Sequence, residues 1–109
     1  MSLDNLIYIR QLLTNNAVCI GKEIITVDNT VKNLTVPENA TYALIVAESS
    51  VTSGTVMRYW EDGSIPTSTD GIPRSHDSAW DISTRENLIK FKIIQSQSGT
   101  HKIFVQYYK

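Results

Sequence analysis

The sequence is poor in the residues that build disulfides, cysteine metal sites and helices. Cys19 is the only cysteine among 109 residues, which excludes an internal disulfide and any zinc site built from cysteines. Leu occurs seven times and Ala five times, so strong helix formers are scarce. The longest uninterrupted apolar run, residues 43–47, is far shorter than the roughly 20 residues of a membrane-spanning helix. Length and hydropathy together predict one domain that does not enter a membrane.

The chain also lacks an excess of charge of either sign. Ten Lys and Arg residues stand against eleven Asp and Glu residues, so no overall electrostatic attraction to nucleic acid is expected. The first residues show no basic region followed by an apolar one, and no secretory leader is therefore expected. Charged residues make up 19% and hydrophobic residues 41%, a balance that predicts a folded chain.

β-Branched residues dominate what is present. Thirteen Ile, eight Val and eleven Thr together account for 32 of the 109 residues. Branching at Cβ restricts χ1 and suits a pleated surface, so this composition favours strands. Alternating apolar runs predict about eight short strands, at residues 17–20, 23–27, 34–36, 41–48, 55–60, 79–83, 88–95 and 101–108.

The strand pattern predicts an all-β fold, a single antiparallel β-sandwich of jelly-roll or immunoglobulin-like type. The sandwich is expected to span residues 17–109, and residues 1–16 are interpreted as an N-terminal arm or a short helix. Gly21 and Lys22 predict a tight hairpin turn, and Ile89, Phe91 and Ile93 are placed on one face of a strand. The polar connection 61–78 is long, and long connections are often functional.

Few residues point to catalysis or metal binding. His76 and His101 fall on different predicted elements without metal-ligand spacing, so both are interpreted as surface or loop residues. Cys19 lies in an apolar run and is interpreted as a small buried side chain. The carboxylates of residues 61–81 lack the spacing of a calcium loop and fit turns better. We therefore predict no enzyme activity, no catalytic residue, no metal and no cofactor.

Aromatic and charged residues suggest contacts with other molecules. Tyr59, Trp60 and Trp80 can form an exposed patch that anchors a partner or stacks on sugar rings, although Tyr59 and Trp80 fit a core equally well. Residues 61–81 carry a net charge of −4 and residues 85–109 a net charge of +4. These segments are either two solvated faces or the two sides of a head-to-tail contact between copies.

The order of several segments resembles small accessory proteins of tailed bacteriophages. In those proteins a buried strand precedes a segment V-R-Y-x-x-D-G-x-x-P-T-x-x-x-G. Here residues 43–48 are ALIVAE and residues 56–71 are VMRYWEDGSIPTSTDG, and strands at 87–94 and 102–108 follow. The resemblance covers residues 17–109 and departs from the pattern at the insertion of residues 74–78.

This resemblance implies a virion component without catalytic residues, assembled in the cytoplasm of a bacterial host. Such a protein decorates the capsid as an auxiliary protein, or belongs to a head fibre or tail. Its partners are other virion proteins and copies of itself. The alternative is a carbohydrate-binding β-sandwich whose aromatic residues grip a host-surface glycan. The candidate interaction residues are Arg58, Tyr59, Trp60, Asp62, Asp70, Trp80, Lys90, Lys92 and Lys102.

Overall fold

The computed structural model describes residues 17–109, which form eight strands and one short helix. The expected arm or helix at residues 1–16 lies outside the described residues. No helix among residues 17–109 is long and apolar enough to cross a membrane. The elements in chain order are β1 (Cys19–Val27), β2 (Lys32–Asn33), β3 (Tyr42–Ser49), β4 (Met57–Trp60), β5 (Ile72–Arg74), β6 (Ala79–Ser83), α1 (Arg85–Lys90), β7 (Lys92–Gln95) and β8 (His101–Tyr108).

The strands form two antiparallel sheets of four strands each. Sheet A has the order β1-β8-β3-β6, and sheet B has the order β2-β7-β4-β5. The first strand pairs with the last, the second with the seventh, the third with the sixth and the fourth with the fifth. The chain is thus arranged as a long hairpin that is wound over two layers. This is the strand order of a jelly roll. The all-β sandwich is confirmed, and the order selects the jelly roll over the immunoglobulin-like alternative.

The hydrophobic core lies between the sheets and is built from alternate residues of the strands. Strand β3 contributes the small side chains of Ala43 and Ala47 on either side of Ile45. Opposite them, β4 contributes Met57 and Tyr59, which leaves Arg58 and Trp60 on the outer face of sheet B. Period-two burial is what a strand with one covered face requires.

The first strand corrects two predictions. Residues 19–27 form one continuous strand, so the predicted hairpin at Gly21 and Lys22 is wrong. The register against β8 shifts between Cys19 and Gly21, which marks a β-bulge. A bulge absorbs one extra residue and bends the strand without reversing it. Cys19 is exposed, so the expectation of a buried thiol is also wrong.

Residues 88–95 do not form one strand as predicted. Residues 85–90 form helix α1, and strand β7 begins at Lys92. Glu86 and Lys90 lie four residues apart and form an ion pair of 2.9 Å on the helix surface. Ile89 is 56% exposed, whereas Phe91 and Ile93 are fully buried. These three residues therefore do not share one face.

The remaining strands differ from the prediction mainly at their ends. Residues 79–83 and 101–108 are strands with the predicted limits. The predicted strand 34–36 is replaced by the two-residue β2 just before it. The long connection after β4 contains the short strand β5, which pairs with β4 at the edge of sheet B.

A hydrogen bond between a tyrosine hydroxyl and a carboxylate lies at the side of the sandwich next to β1. The Tyr107 hydroxyl donates a hydrogen bond to the Glu23 carboxylate, which also accepts the Thr35 backbone N–H at 2.8 Å. Burial, and then the neighbouring Glu23 carboxylate, raise the pKa of Tyr107 well above its ordinary value. The pair links β1 to β8 and to the segment that follows β2.

The raised pKa of Tyr107 predicts a loss of stability in alkali. The folded state holds the phenol proton that the unfolded chain releases near pH 10, so this stability is full below about pH 10 and falls above it. We expect the urea midpoint to fall more steeply between about pH 9 and 11 in the wild type than in Tyr107→Phe. Equal slopes for the two proteins would show that Tyr107 does not titrate with folding.

Candidate functional site

The segment of residues 56–71 is held in place by its own residues. Arg58 projects from the outer face of sheet B, and its Nη1 donates a hydrogen bond of 2.9 Å to the Gly71 carbonyl. Gly71 has a φ of 138°, and a Cβ placed there would lie 3.0 Å from the Arg58 Cβ and 3.3 Å from the Pro66 Cβ. Position 71 is therefore a glycine at the point where the returning backbone contacts Arg58. The loop 61–71 packs on β4.

Two turns shape the loop between these contacts. The Asp62 carboxylate accepts the Ser64 N–H at 2.9 Å, and this hydrogen bonding lowers the pKa of Asp62. Further along, the backbone N–H of Thr67 donates to the Asp70 carbonyl at 2.9 Å. Asp62 and Asp70 were candidate interaction residues, and each takes part in a turn of the loop. Asp70 does so through its backbone carbonyl.

The tip of the loop forms one wall of a cleft. Ile65 is 66% exposed, the largest exposed fraction among the large apolar side chains of residues 17–109. The cleft has a volume of about 480 Å³ and lies between residues 65–68, residues 94–98 and the turn that contains Asn29 and Val31. Ile65 and this cleft, which we call the Ile65 cleft, were not singled out by the sequence because exposure cannot be read from a single apolar residue in a loop.

The outer face of sheet B next to the loop carries three of the candidate residues. Trp60 lies opposite Lys92, and Arg58 lies opposite Ile94, in the register of β4 with β7. Trp60 and Lys92 are both half-buried, so the indole retains some exposed surface. Arginine and tryptophan are residue types that anchor protein interfaces, and Ile94, which lies opposite Arg58, lines the Ile65 cleft.

The other two aromatic candidates belong to the core. Tyr59 and Trp80 are each 4% exposed, and their rings stack with centroids 5.2 Å apart. Phe91 stacks on Tyr59 at 5.3 Å. Arg74 lies over the Trp80 ring at 4.7 Å and donates to the Tyr59 hydroxyl at 3.2 Å. The faces of both rings are thus occupied, and Trp60 is the one candidate aromatic with exposed surface.

The two basic candidates outside sheet B's outer face have acidic partners within the chain. Lys90 pairs with Glu86. Lys102 lies on the outer face of sheet A, 3.5 Å from the Glu48 carboxylate. Such exposed pairs contribute little to stability, but they reduce the positive charge offered to a neighbour. These two lysines therefore give little support to a head-to-tail contact between segments of unlike charge.

The carboxyl group of Glu61, which directly follows β4, is influenced by two other acidic side chains. Burial, and then the neighbouring carboxylates of Asp81 and Asp62, raise the pKa of Glu61. The Tyr42 hydroxyl donates a hydrogen bond of 2.8 Å to Asp81. No group of three or more His, Cys, Asp or Glu side chains among residues 17–109 is arranged to hold a metal ion.

Both histidines contact Ser49, an arrangement that no pattern in the sequence predicts. His101 is buried, so its interpretation as a surface or loop residue is wrong. Its Nε2 donates to the Gln97 carbonyl at 2.7 Å, which leaves Nδ1 to accept the Ser49 hydroxyl at 2.7 Å. The Ser49 N–H donates to Nδ1 of His76 at 3.1 Å, and Ser49 Oγ accepts the Val51 N–H at 2.9 Å. This buried network joins the end of β3 to the start of β8.

Removal of the Ser49 hydroxyl tests this network. The Ser49→Ala variant leaves His101 Nδ1 and the Val51 N–H without their partner, and we expect a loss of about 1–3 kcal/mol in the free energy of unfolding. Urea denaturation measures the loss. Ser83→Ala, an exposed serine at the end of β6, is the control and should change stability by less than about 0.5 kcal/mol. Equal midpoints for the two variants would contradict the network.

No protein-family model, no curated protein and no solved structure matches the chain. The candidate functional surface consists of the loop 61–71, which we call the motif loop, the Ile65 cleft and the adjoining outer face of sheet B.

Proposed function

We propose that this chain is a non-enzymatic structural protein of a tailed-bacteriophage particle, which decorates the capsid or belongs to a head or tail fibre. It assembles in the bacterial cytoplasm and joins other virion proteins and copies of itself. The contact surface is the outer side of sheet B, which carries Arg58, Trp60 and Lys92, together with the Ile65 cleft, which Ile94 of the same face lines.

One observation carries this proposal. The residues that give the sequence its resemblance to phage accessory proteins are those that hold the loop 61–71 in shape, through Arg58, Gly71 and Pro66. If the resemblance rested only on residues that favour turns, it would not include Arg58. The Arg58 side chain holds the loop at Gly71. The motif thus specifies a preformed surface, and preformed surfaces bind with a smaller entropic cost than flexible ones.

The fold adds a weaker argument by analogy. Jelly rolls occur in viral capsid domains, and also in lectins and cupins, so strand order alone does not choose a function. The carbohydrate-binding alternative relied on three exposed aromatic rings, and two of them, Tyr59 and Trp80, are buried in the core. Contact between proteins is therefore the use that fits the outer side of sheet B best.

An incorporation experiment tests the contact surface. Ile65→Asp places a charge at the exposed tip of the cleft, and Ile89→Asp places the same charge at a similarly exposed isoleucine on α1. Each variant is supplied together with the wild-type chain during particle assembly, and mass spectrometry measures the ratio of variant to wild-type peptides in purified particles. We expect Ile65→Asp to be under-represented by about tenfold or more, because a charge buried in an interface costs more than 1.4 kcal/mol.

The control defines the outcome that would contradict the surface. Ile89→Asp should enter particles in proportion to its supply. If both variants enter equally well, the Ile65 cleft does not contact other virion proteins. If neither chain is found in particles at all, the proposed function itself is wrong.

A further inference from the structure

Strand β1 forms the longest open sheet edge among residues 17–109. It has nine residues and pairs on one side only, with β8. The other edge strands are shorter, since β2 has two residues, β5 has three including Pro73, and β6 has five. An open edge presents unpaired backbone N–H and C=O groups, and short edge strands and proline are two features that limit pairing with other chains. Of the four edges, β1 is therefore the best suited to pair with another strand.

The hydrogen bonds between β1 and β8 identify the residues that face this open edge. The backbones of Val18 and Lys109 exchange two hydrogen bonds, of 3.1 and 3.0 Å. Because backbone groups alternate in direction along a strand, the odd-numbered residues of β8 also point to β1, and after the bulge their partners in β1 are odd-numbered as well. Lys22, Ile24 and Thr26 therefore direct their backbone N–H and C=O groups away from β8, to the open side.

The side chains along this edge leave room for a partner strand. Lys22, Ile24 and Thr26 are all exposed, and Ile24 at the centre is 64% exposed. The bulge lies before Lys22, so residues 22–27 keep a regular register against β8. The carboxylate of Glu23 accepts a hydrogen bond from the Tyr107 hydroxyl within the same chain. The central part of β1 is thus a regular strand with an apolar residue at the middle of its open side.

We propose that β1 pairs in antiparallel orientation with β1 of a second copy, so that two sheets A join into one continuous sheet. The three edge residues are symmetric about Ile24, and a two-fold axis there pairs them entirely among themselves. Lys22 of each copy then lies opposite Thr26 of the other, and the two Ile24 side chains lie opposite each other. About six backbone hydrogen bonds form, and no like charges are placed opposite each other. The open edge is therefore complementary to a second copy of itself.

The β1 dimer is independent of a role in a virus particle, because it forms from this chain alone. A contact between two identical edges closes after two copies. It leaves the outer side of sheet B uncovered, since β1 belongs to sheet A, and the dimer presents the Ile65 cleft twice. Failure of the dimer to form would leave the proposed contact surface on sheet B untouched, and absence of the chain from particles would leave the dimer untouched.

Sedimentation analysis of the full-length chain tests the dimer. We expect the apparent mass of the wild type to rise from one chain towards two between about 1 and 500 µM. Ile24→Lys places like charges opposite each other at the two-fold axis and should weaken dimerisation by about tenfold or more. Ile89→Lys adds the same charge at a similarly exposed isoleucine on α1 and should dimerise as the wild type does. A wild type that stays monomeric throughout this range would overturn the proposal, and so would equal dimerisation of the two variants.

Cross-linking with a short bismaleimide tests the register, in a Cys19→Ser background that removes the exposed native thiol. The Cα atoms of residue 24 in the two copies should lie about 5.5 Å apart, and those of residue 26 about 14 Å apart. Ile24→Cys chains should therefore cross-link to each other, whereas Thr26→Cys chains should do so only when mixed with Lys22→Cys chains. Equal cross-linking of the Ile24→Cys and Thr26→Cys chains alone, or none in any of these samples, would contradict pairing about Ile24.

Discussion

The Phe91→Ala variant should unfold at a much lower urea concentration than the wild type, with a loss of about 3–5 kcal/mol. Phe91 is fully buried and stacks on Tyr59, which in turn stacks on Trp80. Its removal leaves a cavity in the core, just after the end of α1, and takes one ring from the stack. Both the lost burial and the unfilled cavity lower stability, so the effect is near the upper end for a core truncation.

Ile89→Ala is the matched control, because it tests the local structure as well as the magnitude. A continuous strand over residues 88–95 would bury Ile89 beside Phe91, and both truncations would then be costly. In helix α1 the Ile89 side chain is exposed, and alanine favours helix, so Ile89→Ala should change stability by less than about 0.5 kcal/mol. Similar losses in the two variants would show that the helix is assigned wrongly.

Gly71→Ala should be the most disruptive change in the motif loop. Its φ of 138° is strained for any residue with a side chain, and the new Cβ would lie 3.0 Å from the Arg58 Cβ and 3.2 Å from the Tyr59 backbone nitrogen. Strain and overpacking each cost about 1–3 kcal/mol, so we expect a loss of roughly 2–5 kcal/mol in urea denaturation. The loop should also separate from Arg58 and become more accessible to proteases.

Gly63→Ala separates the two causes of that loss. Gly63 also has a positive φ, of 92°, but a Cβ there would meet nothing closer than the Lys90 Cγ at 4.0 Å. The substitution therefore adds strain without a clash and should cost about 1–3 kcal/mol, less than Gly71→Ala does. Equal losses would mean that the packing of Gly71 against Arg58 adds nothing to the stability of the loop.

The all-β sandwich was predictable because it rests on local alternation. Residues 101–108 place Ile103, Val105 and Tyr107 on one face and have Gly99 in the preceding turn, so the strand limits agree with the structure. The same rule failed for residues 88–95, where Leu88 and Phe91 also have the three-residue spacing of a helix. A six-residue helix carries too little periodic signal to outweigh a strand pattern that overlaps it.

Contacts between distant parts of the chain could not be predicted from the sequence. Ser49 and His101 are 52 residues apart and meet because β3 pairs with β8 in a particular register. Register depends on the whole sheet, and a bulge such as the one after Cys19 changes it by one residue. Within the candidate site, the position of Arg58 and Trp60 on the outer face follows from the alternation along β4. The burial of Trp80 depends on how the two sheets pack.

Quantitative peptide mass spectrometry of density-purified virus particles tests the central claim, membership of a phage virion, most directly. The chain should be found at a fixed number of copies per particle that survives a second density gradient. A number comparable with that of the major capsid protein identifies a decorating protein, and a few to a few dozen copies, roughly, identifies a fibre or tail component. Its absence from purified particles, while present in the infected cells, would contradict the account.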